Sequence, residues 1–540
     1  MVGSVPATPY PRRMTSRRSR IATATIAGLA AAALLGACAA PGSTWPGSTR
    51  PTGAPTAGPE TPGTEGATTA SAQQQLDFPE VYAQQLDWHF CGPDEATAAQ
   101  LEATLRSIGA RAEGISCTAV EVPLDWNDPA NPETILLSAV LVPSTGEGER
   151  LGTLFSNPGG PGASGIDFAI GMTASPGYAE LQQHYDLLGF DPRGMGTSSP
   201  LDCAPTSTIF ELQLAECAEQ DPLTASMGSA QVARDLELLR HLVGDKQLHY
   251  AGFSYGTVIG ASYVTLFPER VGRVMLDSAW PSDWSGPLDT YLQAEAIAGA
   301  LGDLVAECGT RYEVAVCPIA PGTTVAEGLA RLAAAPLTAS DGTTVDHQML
   351  RGYLTTALYQ LKTGRERILD IAGRAVTGDQ SAVDELAAAM AGGGSKVQLS
   401  GMVVRCLSMP RDPRLLDLDR YIREHGLPEL LGGPEITDQT LRQFLDLSCD
   451  ALPDSGEDFL HFTNASGEPV LVFGITGDHA TPYAGAQRLV DELGDAQLVT
   501  LEGNGHIASF NGRSSCADAI ANAYLIRGEL PAEGTVCTDD

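Results

Sequence analysis

Three residues spread along this chain, Ser254, Asp478 and His506, have the types and the order that acyl transfer by a serine requires. A serine hydroxyl attacks well only when a base takes its proton. The base needs a carboxylate to orient it, and the oxyanion that forms needs fixed donors. Ser254 lies in Gly252-Phe253-Ser254-Tyr255-Gly256, the G-x-S-x-G pattern of a sharp strand-to-helix turn that holds a serine outward. Such a turn has no room for a Cβ at its two glycines. In a chain with 59 glycines the pattern alone can arise by chance, so its flanks decide. Residues 246–251 read as a short strand and 257–263 as a buried helix. That context puts a helix N-terminus behind the hydroxyl.

His506 closes Gly503-Asn504-Gly505-His506, just after a predicted strand, in a loop flexible enough to bend over the serine. Of nine histidines it alone stands at a strand end in the required order; His479, beside a candidate acid, is its competitor. Two aspartates compete to orient the base. Asp478 follows a strand ending at Gly474 and is preferred; Asp277 ends the strand after the serine's helix and is the alternative. The oxyanion donors are expected to be the backbone N–H of Tyr255 and that of Gly160, from the loop Asn157-Pro158-Gly159-Gly160-Pro161-Gly162 that follows a strand. Arg193, after Asp191-Pro192, reads as structural, tying loops near the site. No C-x-x-C occurs, so zinc and redox chemistry are not expected, and no metal or cofactor is needed.

The elements that must position these residues alternate between strand and helix. Strands are predicted at 119–124, 134–142, 152–156, 185–190, 246–251, 272–277, 469–474 and 496–501, with helices at 231–243, 483–493 and 516–525. That alternation means an α/β protein with a mostly parallel sheet. From 281 to 454 the pattern changes to Ala-, Leu- and Glu-rich segments (288–307, 325–334, 348–361, 365–390, 438–446), read as an inserted helical lid. The core is thus split into 76–280 and 455–540. A lead-in helix is predicted at 95–105.

At 540 residues the chain is too long for one compact core, which agrees with a core plus an insertion. Sixty-six acidic against 32 basic residues leave a net charge of −34, which argues against a nucleic-acid partner. Residues 1–38 read as a signal peptide: arginine pairs, an apolar run from Ile21 to Leu35, then Leu35-Gly36-Ala37-Cys38, similar to the bacterial lipobox. Cys38 would carry the lipid and anchor the protein to the outer face of the cell membrane. Residues 39–75, mostly Pro, Gly, Ser, Thr and Ala, read as a disordered tether. Eleven cysteines also suit export; setting Cys38 aside leaves ten. The simplest pairing joins neighbours: Cys91 with Cys117, Cys203 with Cys217, Cys308 with Cys317, Cys406 with Cys449, Cys516 with Cys537.

Taken together, the Asn157–Gly162 loop, Gly189-Phe190-Asp191-Pro192-Arg193-Gly194, the Ser254 motif, Asp478-His479-Ala480-Thr481-Pro482, Gly503-Asn504-Gly505-His506 and the closing 516–537 region resemble the secreted tripeptidyl aminopeptidases of actinobacteria. These are relatives of the proline iminopeptidases with an α/β-hydrolase fold. The resemblance spans about residues 85 to 540. It implies Ser254 as nucleophile, Asp478 as acid and His506 as base, and peptide substrates cut near a free amino terminus, often as tripeptides. Two positions depart from the pattern: Asn157 stands where related iminopeptidases often have His, and His479-Ala480 replaces the commoner Pro-Val. The substrate's ammonium would need carboxylates in or near the lid, where Glu295, Asp303, Glu307 and Glu313 are among the choices. A carboxylesterase or lipase of the same fold is the main alternative, because the triad does not distinguish ester from amide. A non-catalytic binding protein is the second.

Overall fold

The computed structural model describes residues 68–91, 103, 105–106, 114–146, 148, 150–391, 395–410, 415–431 and 447–540. The expected signal peptide with Cys38, nearly all of the expected tether, most of the lead-in helix and the segment 438–446 lie outside these residues.

A nine-stranded sheet organises the core. In chain order its strands are β1 (Ser116–Pro123), β2 (Thr134–Val142), β3 (Gly152–Asn157), β4 (Tyr185–Phe190), β5 (Leu248–Phe253), β6 (Val271–Asp277), β9 (Val470–Gly477), β10 (Ala496–Asn504) and β11 (Val536–Thr538). Their spatial order is β1-β2-β4-β3-β5-β6-β9-β10-β11. β2 is antiparallel to both neighbours, and every other pairing is parallel. The central strands read as apolar runs because helices cover both faces. Successive side chains then divide between the two faces. Tyr250, Val274, Leu276 and Val472 join one hydrophobic cluster with the helices Ser229–Leu242 and Gly256–Leu266. Ala251, Phe253, Met275, Leu471 and Phe473 join the other, with the helix Ser515–Arg527.

The segment expected to be a lid, inserted between β6 and β9, is a helical body with its own core, drawn from the helices Pro287–Ala306, Val325–Ala334, His347–Leu358, Lys362–Val376 and Gln380–Met390. Three details differ from the sequence-based expectation. The segment 365–390 is two helices, because Gly378 turns at φ 94° and Asp379 caps a new start by accepting the Ser381 and Ala382 N–H groups. A short hairpin of two-residue strands, β7 (Leu337–Thr338) with β8 (Thr344–Val345), lies inside this helical body. The helix Ser395–Leu407 sends Leu399, Val403 and Leu407 into the main core cluster instead of the lid's own.

The folded chain also starts earlier than the expected tether end at 75. The helix Ala70–Asp77 is capped by Thr69 and pinned by Ser71, whose hydroxyl donates to the buried Glu237 at 2.5 Å. All five expected disulfides are formed, 91–117, 203–217, 308–317, 406–449 and 516–537. The last ties the unpredicted strand β11, only three residues long, to the helix beside it.

Candidate active site

β5 ends at Phe253 and the chain turns at Ser254 into the helix Gly256–Leu266. Ser254 takes φ 54°, a left-handed conformation rare for a residue with a side chain. A Cβ on Gly252 would lie 2.4 Å from the Gly256 carbonyl oxygen, and one on Gly256 would lie 2.4 Å from that of Asn157. Both motif glycines are therefore demanded by close approach. The Ser254 N–H donates to the Asp277 carbonyl at 3.0 Å, and the helix Gly256–Leu266 begins immediately. Tyr255 opens that helix, where backbone N–H groups have no acceptor within the helix. The Gly159 loop presses onto the same turn: a Cβ on Gly159 would lie 2.8 Å from the Ser254 Cβ and from the Tyr255 nitrogen. Asn157 shapes this loop by accepting the Gly159 N–H on Oδ1 at 2.9 Å.

β9 and β10, adjacent in the sheet, deliver the candidate acid and the candidate base. Asp478 is fully enclosed, and both of its oxygens lie 3.0 Å from His506 Nδ1. It also accepts the Ala480 and Thr481 N–H groups at 2.9 Å and the Thr481 hydroxyl at 2.8 Å. Burial pushes its pKa up, but His506 and these donors outweigh burial and draw it down to about 2. Asp478 is therefore a carboxylate, able to hold a proton on His506 Nδ1 and leave Nε2 as the basic nitrogen.

The competing residues have other places. Asp277 is fully buried and accepts the Ala508 N–H (2.9 Å), the Ser509 N–H (2.8 Å) and the Ser509 hydroxyl (2.6 Å). Ser278 accepts the Ile507 N–H at 2.9 Å. Asp277 thus fastens the loop after His506 to the end of β6, and β6 pairs with β5 at Phe253, next to the serine. Of the two aspartates weighed in the sequence, it is the preferred Asp478 that meets His506 Nδ1, while Asp277 holds the Ala508 and Ser509 N–H groups. His479 is buried; burial above all, with nearby His506, Arg365 and Arg513, lowers its pKa to about 3 despite Asp478, so it stays neutral. Arg193 is fully buried and ties Asp235 (2.8 and 2.6 Å) to the carbonyls of Leu124, Ser226 and Pro123, the structural role expected. Of the lid acids, Glu295 accepts from the Tyr421 hydroxyl at 2.8 Å and Glu307 pairs with Arg311 at 3.1 Å.

A serine on a strained turn at the end of a central parallel strand, with an Asp–His pair after β9 and β10, which lie beyond β6 on the same side of the sheet order, defines a serine hydrolase of the α/β-hydrolase fold. Residues 153–299 match the family model described as alpha/beta hydrolase fold, and residues 434–537 match that described as TAP-like protein. The chain is similar to the tripeptidyl aminopeptidase of Streptomyces lividans, to which it is 29% identical over 470 residues, 78% of this chain and 83% of that one. It is 27% identical to the serine protease Hip1 of Mycobacterium tuberculosis (strain ATCC 25618 / H37Rv) over 484 residues, 78% of this chain and 87% of that one. It is also 29% identical to carboxylesterase B of the same strain over 527 residues, 87% of this chain and 94% of that one.

Proposed function

We propose that this chain is a serine exopeptidase that releases short peptides, tripeptides foremost, from free amino termini. The observation that carries the reading is the Asp478–His506 pair, held on a loop that Asp277 and Ser278 fasten beside the Ser254 turn. In this mechanism Ser254 attacks the scissile carbonyl while His506 Nε2 takes its proton. His506 then gives the proton to the leaving amine, and water hydrolyses the acyl-enzyme by the reverse route. The oxyanion is met by the Tyr255 N–H and by that of Gly160, because Asn157 already occupies the Gly159 N–H. Charge bookkeeping favours this division of labour: a carboxylate with a pKa of about 2 stabilises the imidazolium without taking its proton. We further propose export with lipid attachment at Cys38, which would hold the enzyme at the outer face of the bacterial membrane.

A carboxylesterase is the second reading, favoured by the similarity to carboxylesterase B. One experiment separates the two. Ala-Pro-Ala 4-nitroanilide is offered with its amino group free and again acetylated, beside a short p-nitrophenyl ester. Cleavage of the free peptide but not the acetylated one supports the exopeptidase. Hydrolysis of the ester alone overturns it in favour of the esterase.

A further inference from the structure

The lid touches the acid-bearing loop through Gln293, whose amide donates to the Ala480 carbonyl at 2.6 Å, and through Tyr359. Tyr359 caps the helix His347–Leu358 and stands edge-on to two imidazoles. Its ring centroid is 4.5 Å from that of His479 at 77° and 5.7 Å from that of His506 at 90°. The two imidazoles are themselves 5.9 Å apart at 66°. The turn that carries Tyr359 is braced. Gln360 N–H donates to the Ala357 carbonyl at 3.0 Å, and Arg365 donates to the Leu358 carbonyl at 3.2 Å and to the Tyr312 hydroxyl at 3.1 Å.

The hydrogen bond to Asp478 anchors His506 at Nδ1, but a ring hung on an sp³–sp² torsion sits in a broad well and can still rock. An edge-on ring above it narrows that well. His479 is otherwise hard to account for: it is buried, and its Nε2 has no hydrogen-bond partner among the described residues. An apolar residue there would avoid that cost. What the histidine offers is an aromatic face for Tyr359.

We propose that Tyr359 and His479 are positioning residues, through which the lid fixes the ring plane of His506 so that Nε2 addresses Ser254. The proposal rests on the reading of His506 as the base. Around His479 stand Asp478, His506, Arg365 and Arg513, and its neutrality keeps it from competing with His506 for Asp478.

The test uses the rate of inactivation by a fluorophosphonate, which requires only the nucleophile and its base and no particular substrate. Wild type, Tyr359→Phe, Tyr359→Ala and His479→Leu are compared across pH, together with kcat and KM for peptide and ester. Tyr359→Ala and His479→Leu are expected to slow inactivation and to lower kcat on both substrates by about three- to tenfold, the range of one aromatic pair, with a displaced apparent pKa and little change in KM. Tyr359→Phe, which keeps the ring, is expected to stay within about twofold of wild type. An unchanged inactivation rate and pH profile in Tyr359→Ala overturns the proposal. So does a rise in KM for the peptide alone, which would make Tyr359 a substrate contact. Where circular dichroism shows that the alanine variant is misfolded, Tyr359→Leu fills the volume without the ring and is read the same way. A wild-type protein that does not label at Ser254 refutes the catalytic reading itself, before any variant is compared.

Discussion

Replacing each of the two candidate acids by asparagine should give opposite kinds of damage. In Asp478→Asn the remaining carbonyl oxygen can still hold the Ala480 and Thr481 N–H groups, which already share Oδ1. The Thr481 hydroxyl can rotate to accept from the new amide. The loop therefore survives, at a cost of about 1 kcal/mol in stability. At His506 the amide places a donor where Oδ2 was, 3.0 Å from Nδ1. Oδ1 is equally near Nδ1 but already accepts two backbone N–H groups, so the amide donor prevails: the imidazole accepts at Nδ1 and carries its proton on Nε2, the wrong tautomer for a base. A tautomer error of this kind in a serine triad costs about 10⁴ in kcat, equivalent to about 5 kcal/mol of barrier. In Asp277→Asn the Asp478–His506 bond is untouched. One of the two N–H groups, of Ala508 or Ser509, faces an amide donor and is stranded in a buried site, which costs about 1 to 3 kcal/mol of stability. The fall in kcat should stay within about tenfold. The assay is kcat on the peptide anilide beside the thermal midpoint of each variant. An Asp478→Asn enzyme within tenfold of wild type would refute the assignment. So would an Asp277→Asn enzyme that loses 10³ or more in kcat at an unchanged midpoint.

Two further outcomes are expected. Arg193→Ala strands Asp235 as an unpaired buried charge and should cost about 3 to 5 kcal/mol, read as a markedly lower thermal midpoint or loss of soluble protein; an unchanged midpoint would deny its structural role. Asp289, at the start of the first lid helix, shares Arg488 with Asp283 and lies near Glu492. Burial first, and those two carboxylates, outweigh the guanidinium and raise its pKa to about 7. The unfolded state then loses the proton near pH 4 and the folded state near 7, so stability falls as pH rises through that window and levels off above it. Asp289→Asn should flatten the slope of melting temperature against pH between 4 and 7; an identical slope would contradict the raised pKa.

Much of the core was legible in the sequence because its signals are local. Parallel strands covered on both faces must be apolar runs, and the serine turn needs its glycines, so both register in a few consecutive residues. The disulfides join near neighbours, so proximity along the chain predicted them. What escaped depended on contacts made at a distance. The helix Ala70–Asp77 continues the small, polar composition of the preceding segment, and distant partners such as Glu237 and Glu269 for Ser71 and Arg234 for Gln74 mark it as folded. β11 is too short for a periodicity and is defined by pairing with β10. Asp277 and Asp478 both stand at strand ends, so the sequence supports only a preference for Asp478, and their contacts separate when the His506 loop is seen to lie across both. Tyr359 carries no motif, because its place beside His506 is set by how the lid docks.

The central claim is that Ser254 is the nucleophile and His506 its base. It is tested most directly by labelling the intact protein with a fluorophosphonate and mapping the adduct by mass spectrometry, in wild type and in His506→Ala. The account predicts a single adduct on Ser254 that forms at least 10³-fold more slowly, on the order of the loss seen when a triad member is removed, in the variant. An adduct on another serine, or equal labelling of the two proteins, would contradict it.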